Sequence, residues 1–208
     1  MVGCMIICAL TAYLLGNLNG AVCMSALVAN DDVRSHGSGN AGLTNFIRNY
    51  GVGSAMYVVL IDAGKAVLAC LSSGLIMNQF DLYQEGLLLG GVCVMLGHVF
   101  PALLGFKGGK GILSGWFVAW VVDWRIGLLI FIVFALAYAL TRYVSLGSVL
   151  GASTFSIGFA VLHHDNLIVM IAGIFIGALA VFMHRGNIVR LIKGQERKTN
   201  LFSKGKKE

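Results

Sequence analysis

Three stretches of the chain concentrate residue types that grip oxyanions. Residues 32–48 read Asp-Val-Arg-Ser-His-Gly-Ser-Gly-Asn-Ala-Gly-Leu-Thr-Asn-Phe-Ile-Arg. Here Gly37, Gly39 and Gly42 free backbone N–H groups to surround an anion, and Ser38, Asn40, Thr44 and Asn45 add neutral polar groups. Arg48 brings a planar fork suited to phosphate. The second stretch runs from Gly97-His98 through Pro101 to Phe106-Lys107-Gly108-Gly109-Lys110-Gly111 and opens directly into an apolar helix. Glycine N–H groups, a helix dipole and two lysines can hold an anion there together. The spacing is not that of a P-loop, which needs four residues between its first Gly and Gly-Lys-Ser/Thr, so ATP binding is not expected.

The third stretch, 184–196, begins His184-Arg185-Gly186-Asn187. Read as a helix, it places His184, Asn187, Ile188 and Leu191 on one face. His184 and Asn187, at the membrane boundary, are the candidates; Arg190, Lys193 and Arg197 read as a solvated basic tail. A smaller segment, 141–148, carries Arg142 and Ser145, which could complete a phosphate shell. Asp62 and Lys65 lie three apart in an apolar stretch, where pairing reduces the cost of placing charge in lipid.

The elements that must position these residues are membrane helices. The chain has 208 residues, 58% hydrophobic and 12% charged, with a mean hydropathy of +0.84. Those values depart from soluble domains and make a bilayer the natural solvent. Apolar stretches cover 2–28, 52–75, 87–104, 112–122, 126–140, 144–162 and 167–183, seven candidate spans of which the fourth and fifth are short. No basic region precedes the first, and Asn17 and Asn19 interrupt it, so it reads as structure and not as a secretory signal. The expectation is one all-α polytopic domain over 1–196, followed by a basic tail, 197–208.

Basic residues orient the bundle. With the amino terminus outside, Arg125 alone among the 15 lysines and arginines falls outside, and Lys65 alone falls within a span. All three anion-gripping stretches, the 141–148 segment and the carboxyl terminus then lie inside. The net charge of +6 belongs mostly to a tail attracted to anionic lipid, with no motif for nucleic acid. The five cysteines lie in apolar stretches without Cys-x-x-Cys spacing, so neither a disulfide framework nor a metal site is expected. The 28 glycines suit close helix packing, with Gly16/Gly20 and Gly173/Gly177 as small-residue pairs.

Together the three stretches, in order and spanning nearly the whole chain, closely resemble the motifs of the PlsY family, bacterial membrane glycerol-3-phosphate acyltransferases that use an acyl phosphate donor. The chain departs from the family pattern at Leu43, where a small residue is usual, and at Gly186, where an acidic one is common. The resemblance implies seven spans with the amino terminus outside and the motifs facing the cytoplasm of a bacterial inner membrane. It implies transfer of a fatty acyl group to the sn-1 hydroxyl of glycerol-3-phosphate, giving lysophosphatidic acid and inorganic phosphate, with no cofactor. By position it assigns catalysis to Ser38, Arg48, Lys107, His184 and Asn187. It assigns substrate binding to Gly37, Gly39, Asn40, Gly42, Thr44, Asn45, His98, Gly108, Gly109, Lys110, Gly111 and Ser145.

None of the five histidines is followed five residues later by aspartate, so the His-x-x-x-x-Asp dyad of other glycerolipid acyltransferases is absent. A substrate phosphate is then the implied proton acceptor, with His184 as the rival. Two other classes fit less well. An organic-phosphate transporter would need basic groups on both sides, and the outside loops carry almost none. A CDP-alcohol phosphotransferase would need aspartates clustered around a metal, and the nine acidic residues are scattered.

Overall fold

The structure, a computed structural model, describes residues 1–199, so of the basic tail only 197–199 are seen. Ten α-helices make up the described chain: α1 (Val2–Asn17), α2 (Gly20–Ala29), α3 (Leu43–Tyr50), α4 (Ala55–Met77), α5 (Tyr83–Val99), α6 (Ile112–Val122), α7 (Trp124–Thr141), α8 (Val144–Leu162), α9 (Leu167–Met183) and α10 (Arg185–Ile192). No strand occurs among the described residues.

The solvent-facing logic is inverted. Leu60, Leu68, Ile157 and Ile171 are exposed, while Asn17, Asn19, Asp62, Lys65 and Ser114 are buried. Such an apolar exterior around a polar interior needs lipid, not water, outside it. The chain is a multi-pass membrane protein. Five segments are long and apolar enough to cross a bilayer, counting α1 and α2 as one, and six if the bent pair α9–α10 is a single span. The 11 residues of α6 reach only about 16 Å at 1.5 Å per residue, short of a ~30 Å hydrocarbon core.

Side-by-side packing of α1, α4 and α5 and of α7, α8 and α9 builds the bundle, with α6 between the two groups. The main core joins Ala66, Leu88, Val94, Val118, Ile126, Phe159 and Ile176. Glycines let the helix backbones touch. A Cβ on Gly97 would lie 2.1 Å from the Tyr13 carbonyl oxygen, and one on Gly16 would lie 2.4 Å from that of Val94. The small-residue pairs are packing sites, as expected: Gly20 meets α4, Gly173 meets Phe159 and Gly177 meets α8.

Three elements differ from the sequence reading. The first apolar stretch is broken at Leu18–Asn19, where Asn19 caps α2 by accepting the Val22 N–H at 3.0 Å and donates to the Ala41 carbonyl at 2.9 Å. The stretch 32–48 is only partly a loop, because residues 43–50 form α3, whose Phe46 and Ile47 pack on Val33, Ala21 and Val58. Last, α10 does not continue α9 but turns away from it by 55° at His184. The only proline, Pro101, follows the end of α5, as its missing N–H requires.

Candidate active site

Parts of loop 37–42, α3, the loop before α6, the start of α8 and the α9–α10 bend surround one cavity of about 880 Å³. Helix starts form its polar end, those of α3 and α6 with those of α8 and α10. α3 begins after Gly42 and α6 after Gly111, and neither has a side-chain cap, nor do α8 and α10. The first-turn N–H groups of α3 and α6 thus have no intrahelical acceptor, and Leu43, Thr44, Ile112 and Leu113 line the cavity. Positive dipole ends at one cavity favour an anion.

Asn45 shapes the first loop. Its side chain, 3% exposed, accepts the Ser38 N–H at 3.0 Å and donates to the carbonyls of Val33 at 2.9 Å and His36 at 3.1 Å. Both amide protons are used on the backbone, which makes Asn45 a builder of the loop. Gly37 and Gly39 take left-handed conformations, φ +60° and +68°. The N–H of Gly39 bonds His36 O and that of Gly42 bonds Asn40 O, both at 2.9 Å. Donation toward the cavity therefore falls to the first turn of α3 more than to these glycines. Ser38 and Asn40 line the cavity beside them.

The two lysines of the second loop separate. Lys110 lines the cavity; Lys107 is exposed and away from its wall, its carbonyl accepting from Arg34 at 3.2 Å. Arg34 also donates to Leu104 O at 2.9 Å and pairs with Asp32, tying the first loop to the second. Gly108 and Gly109 let the loop lie against the end of α5: the Gly109 N–H bonds His98 O at 3.1 Å, and a Cβ on Gly108 would sit 2.0 Å from that oxygen. Gly111 and His98 are on the cavity wall.

Lys110 donates to the side-chain oxygen of Asn187, which donates to Glu196 at 2.9 Å; Arg190 Nε donates to the same carboxylate at 2.7 Å. Burial first, then the neighbouring Arg190, pull Lys110 down to about 8 against the opposing pull of Glu196. Burial pushes Glu196 up, but hydrogen bonds from Arg190 and Asn187 help hold it below the ordinary carboxylate range. Arg48 lines the cavity and donates to Thr199 Oγ1, while the Thr199 N–H bonds Arg142 O at 3.1 Å. Buried Ser145 stands near Glu196 without a well-formed hydrogen bond.

His184, 4% exposed, donates Nδ1–H to Ala180 O at 2.8 Å, because a carbonyl can only accept. A neutral ring then keeps its lone pair on Nε2, and His184 lines the cavity. Away from these groups the cavity turns apolar between α6, α7, α8 and α9, along Trp116, Ile130, Phe131, Phe134, Phe155 and Ile176.

Sequence reasoning missed Glu196 and read Arg190 as tail. The signal was there: Glu196 is the only acidic residue between His184 and Thr199. Among the expected site residues, the cavity wall gathers Gly37, Ser38, Gly39, Asn40, Gly42, Thr44, Asn45, Arg48, His98, Lys110, Gly111, Ser145, His184 and Asn187. Lys107, Gly108 and Gly109 are not on it.

Fold and site define a class: a multi-pass helical membrane protein whose cavity is lined by Arg48 and Lys110 at a polar end and runs into an apolar cleft. Comparison with known proteins narrows it. A family model described as glycerol-3-phosphate acyltransferase matches residues 6–194. A glycerol-3-phosphate acyltransferase of Finegoldia magna is 39% identical over 196 residues, 93% of this chain and 96% of the relative. One of Clostridioides difficile is 39% identical over 199 residues, 93% and 94% of the two chains. The crystal structure of PlsY, an integral membrane glycerol 3-phosphate acyltransferase, in its glycerol 3-phosphate form is 31% identical, with a TM-score of 0.85 over 94% of this chain and 96% of that one. Its lysophosphatidic acid form gives 0.81 over 95% and 96%. The chain belongs to the PlsY family of glycerol-3-phosphate acyltransferases.

Proposed function

We propose that this protein transfers a fatty acyl group from acyl phosphate to the sn-1 hydroxyl of glycerol-3-phosphate, releasing lysophosphatidic acid and inorganic phosphate. One observation carries the reading: a cavity lined by Arg48, Lys110 and polar loop residues at one end continues into an apolar cleft at the other. The uncapped starts of α3 and α6, with Arg48 and Lys110, suit phosphate groups; the cleft suits an acyl chain. The membrane relatives whose structures it resembles were solved in glycerol 3-phosphate and lysophosphatidic acid forms, which fit the two ends.

Acyl phosphate is a mixed anhydride with a good leaving group, so positioning and electrostatics supply most of the rate. The hydroxyl oxygen attacks the acyl carbon, the bond from that carbon to the phosphate oxygen breaks, and phosphate leaves with the electron pair. The hydroxyl proton passes to a substrate phosphate. The Nε2 lone pair of His184 is the second reading, favoured by the bond from Nδ1 to Ala180. His184→Gln separates them: loss of turnover by about 10²–10⁴ marks a base, and a small change leaves the phosphate as acceptor.

In this reading the catalytic groups are Ser38, Arg48, His184 and Asn187, with Lys110 in the place that the motif alone gives to Lys107. Gly37, Gly39, Asn40, Gly42, Thr44, His98, Gly111 and Ser145 bind or shape the pocket, and Asn45, Gly108 and Gly109 support it. The domain is 1–196, seven-span with α6 as the short crossing, amino terminus outside and active site toward the cytoplasm of a bacterial inner membrane. Purified protein given acyl phosphate and glycerol-3-phosphate, without added metal, should release phosphate and lysophosphatidic acid. Activity with acyl-CoA alone would defeat the donor assignment.

A further inference from the structure

Asp62 and Lys65 are 2% and 3% exposed inside α4, two charges within an apolar span. Lys65 Nζ reaches Leu18 O at 2.6 Å, Asp62 Oδ1 at 2.7 Å, His98 Nδ1 at 2.8 Å and Gly16 O at 3.3 Å. Asp62 Oδ1 also accepts the Gly20 N–H at 3.1 Å. The pair thus closes the break between α1 and α2: the ammonium takes carbonyls at the end of α1, and the carboxylate takes an N–H at the start of α2.

The same ammonium reads out on His98. An ammonium only donates, so Nδ1 must be the acceptor. Asp62 Oδ1 stands 3.7 Å from Nδ1, too far to take a proton from it in a hydrogen bond. A neutral ring therefore carries its proton on Nε2, the tautomer opposite to His184. His98 is 4% exposed, sits on the cavity wall, and its Nε2 makes no hydrogen bond to any described residue. A Cβ on Gly109 would lie 2.2 Å from Nε2, so glycine there leaves the N–H its space.

We propose that Lys65 is a positioning residue that fixes His98 as an Nε2–H donor to a phosphate oxygen of the substrate beside the 108–111 loop. The ligand half rests on the phosphate reading of the cavity; the tautomer does not. Protein labelled with ¹⁵N-histidine in lipid nanodiscs, without substrate, should show His98 with a protonated Nε2 and a bare Nδ1, assigned by loss of those signals in His98→Gln. Lys65→Met should replace this pattern by a tautomer mixture. A wild-type His98 protonated on Nδ1 overturns the proposal.

Glycerol-3-phosphate, or inorganic phosphate, should then shift the wild-type Nε2 signal. The expected tautomer without that shift removes the phosphate role and leaves the Lys65–His98 bond standing. Kinetics give a check that does not need the Lys65 variant to fold. Gln can donate from near the Nε2 position and Asn cannot reach it, so His98→Gln should keep roughly tenfold more kcat/KM for glycerol-3-phosphate than His98→Asn, the scale of about one hydrogen bond to a charged group. Equal or reversed activities overturn the donor role.

Discussion

The Lys110 ammonium donates to the side-chain oxygen of Asn187, joining the loop before α6 to α10 across 77 positions of sequence. Neither residue holds its place alone, since Asn187 is in turn anchored on Glu196. Lys110→Met and Asn187→Ala should each lower kcat/KM for glycerol-3-phosphate. The double variant should lose less than the product of the two, a coupling of about 0.5–3 kcal/mol in a double-mutant cycle. Strictly multiplicative losses would show that the two act independently.

Lys110 also sets a pH dependence. Pulled down to about 8 by burial and by Arg190, it is charged below that pH and neutral above it. Bound phosphate needs the charged form, so KM for glycerol-3-phosphate should rise above pH 8 by up to about tenfold per pH unit. Lys110→Arg should flatten the rise. A wild-type KM that stays level through this range would remove Lys110 from the phosphate site.

Gly37 should tolerate change less than Gly39. Both have positive φ, but a Cβ on Gly37 would lie 2.4 Å from Asn45 Oδ1, while one on Gly39 meets nothing nearer than Arg34 O at 3.5 Å. Gly37→Ala and Asn45→Ala both detach the loop from α3 and should reduce kcat/KM by roughly ten- to a hundredfold, with about 1–3 kcal/mol at stake. Gly39→Ala should do less. Steady-state kinetics on the three variants tests the order.

Packing predicts another contrast. Gly97→Ala should lower the thermal unfolding temperature in detergent, because a Cβ there would meet the Tyr13 backbone at 2.1 Å and force α1 and α5 apart. Gly64→Ala, with nothing within 4 Å of its new Cβ, should leave it unchanged or raise it. Equal effects would mean that α1 can shift away from α5 at little cost.

Some of what the sequence left open was readable. In α3, Leu43, Phe46, Ile47 and Tyr50 follow i, i+3, i+4, i+7 spacing, a helix face that starts directly after the glycine-rich loop. Asp62 and Lys65 were visible as a pair, but their third partner, His98, lies 33 positions from Lys65 on another helix. Spacing within one element cannot reveal a partner on another.

The sequence by itself determined the solvent, the helical class, the three glycine-rich or basic stretches and the family, because hydropathy and motif spacing are properties of the chain alone. Only the tertiary structure put Lys110 on the cavity wall and Lys107 off it, because the two flank two glycines in a loop without a repeating period and so carry no directional signal. It likewise turned Arg190 from tail to cavity wall beside Glu196, and it brought Lys65 to Nδ1 of His98 and the Ala180 carbonyl to Nδ1 of His184. Each of those outcomes depends on which atoms other helices bring within hydrogen-bond reach.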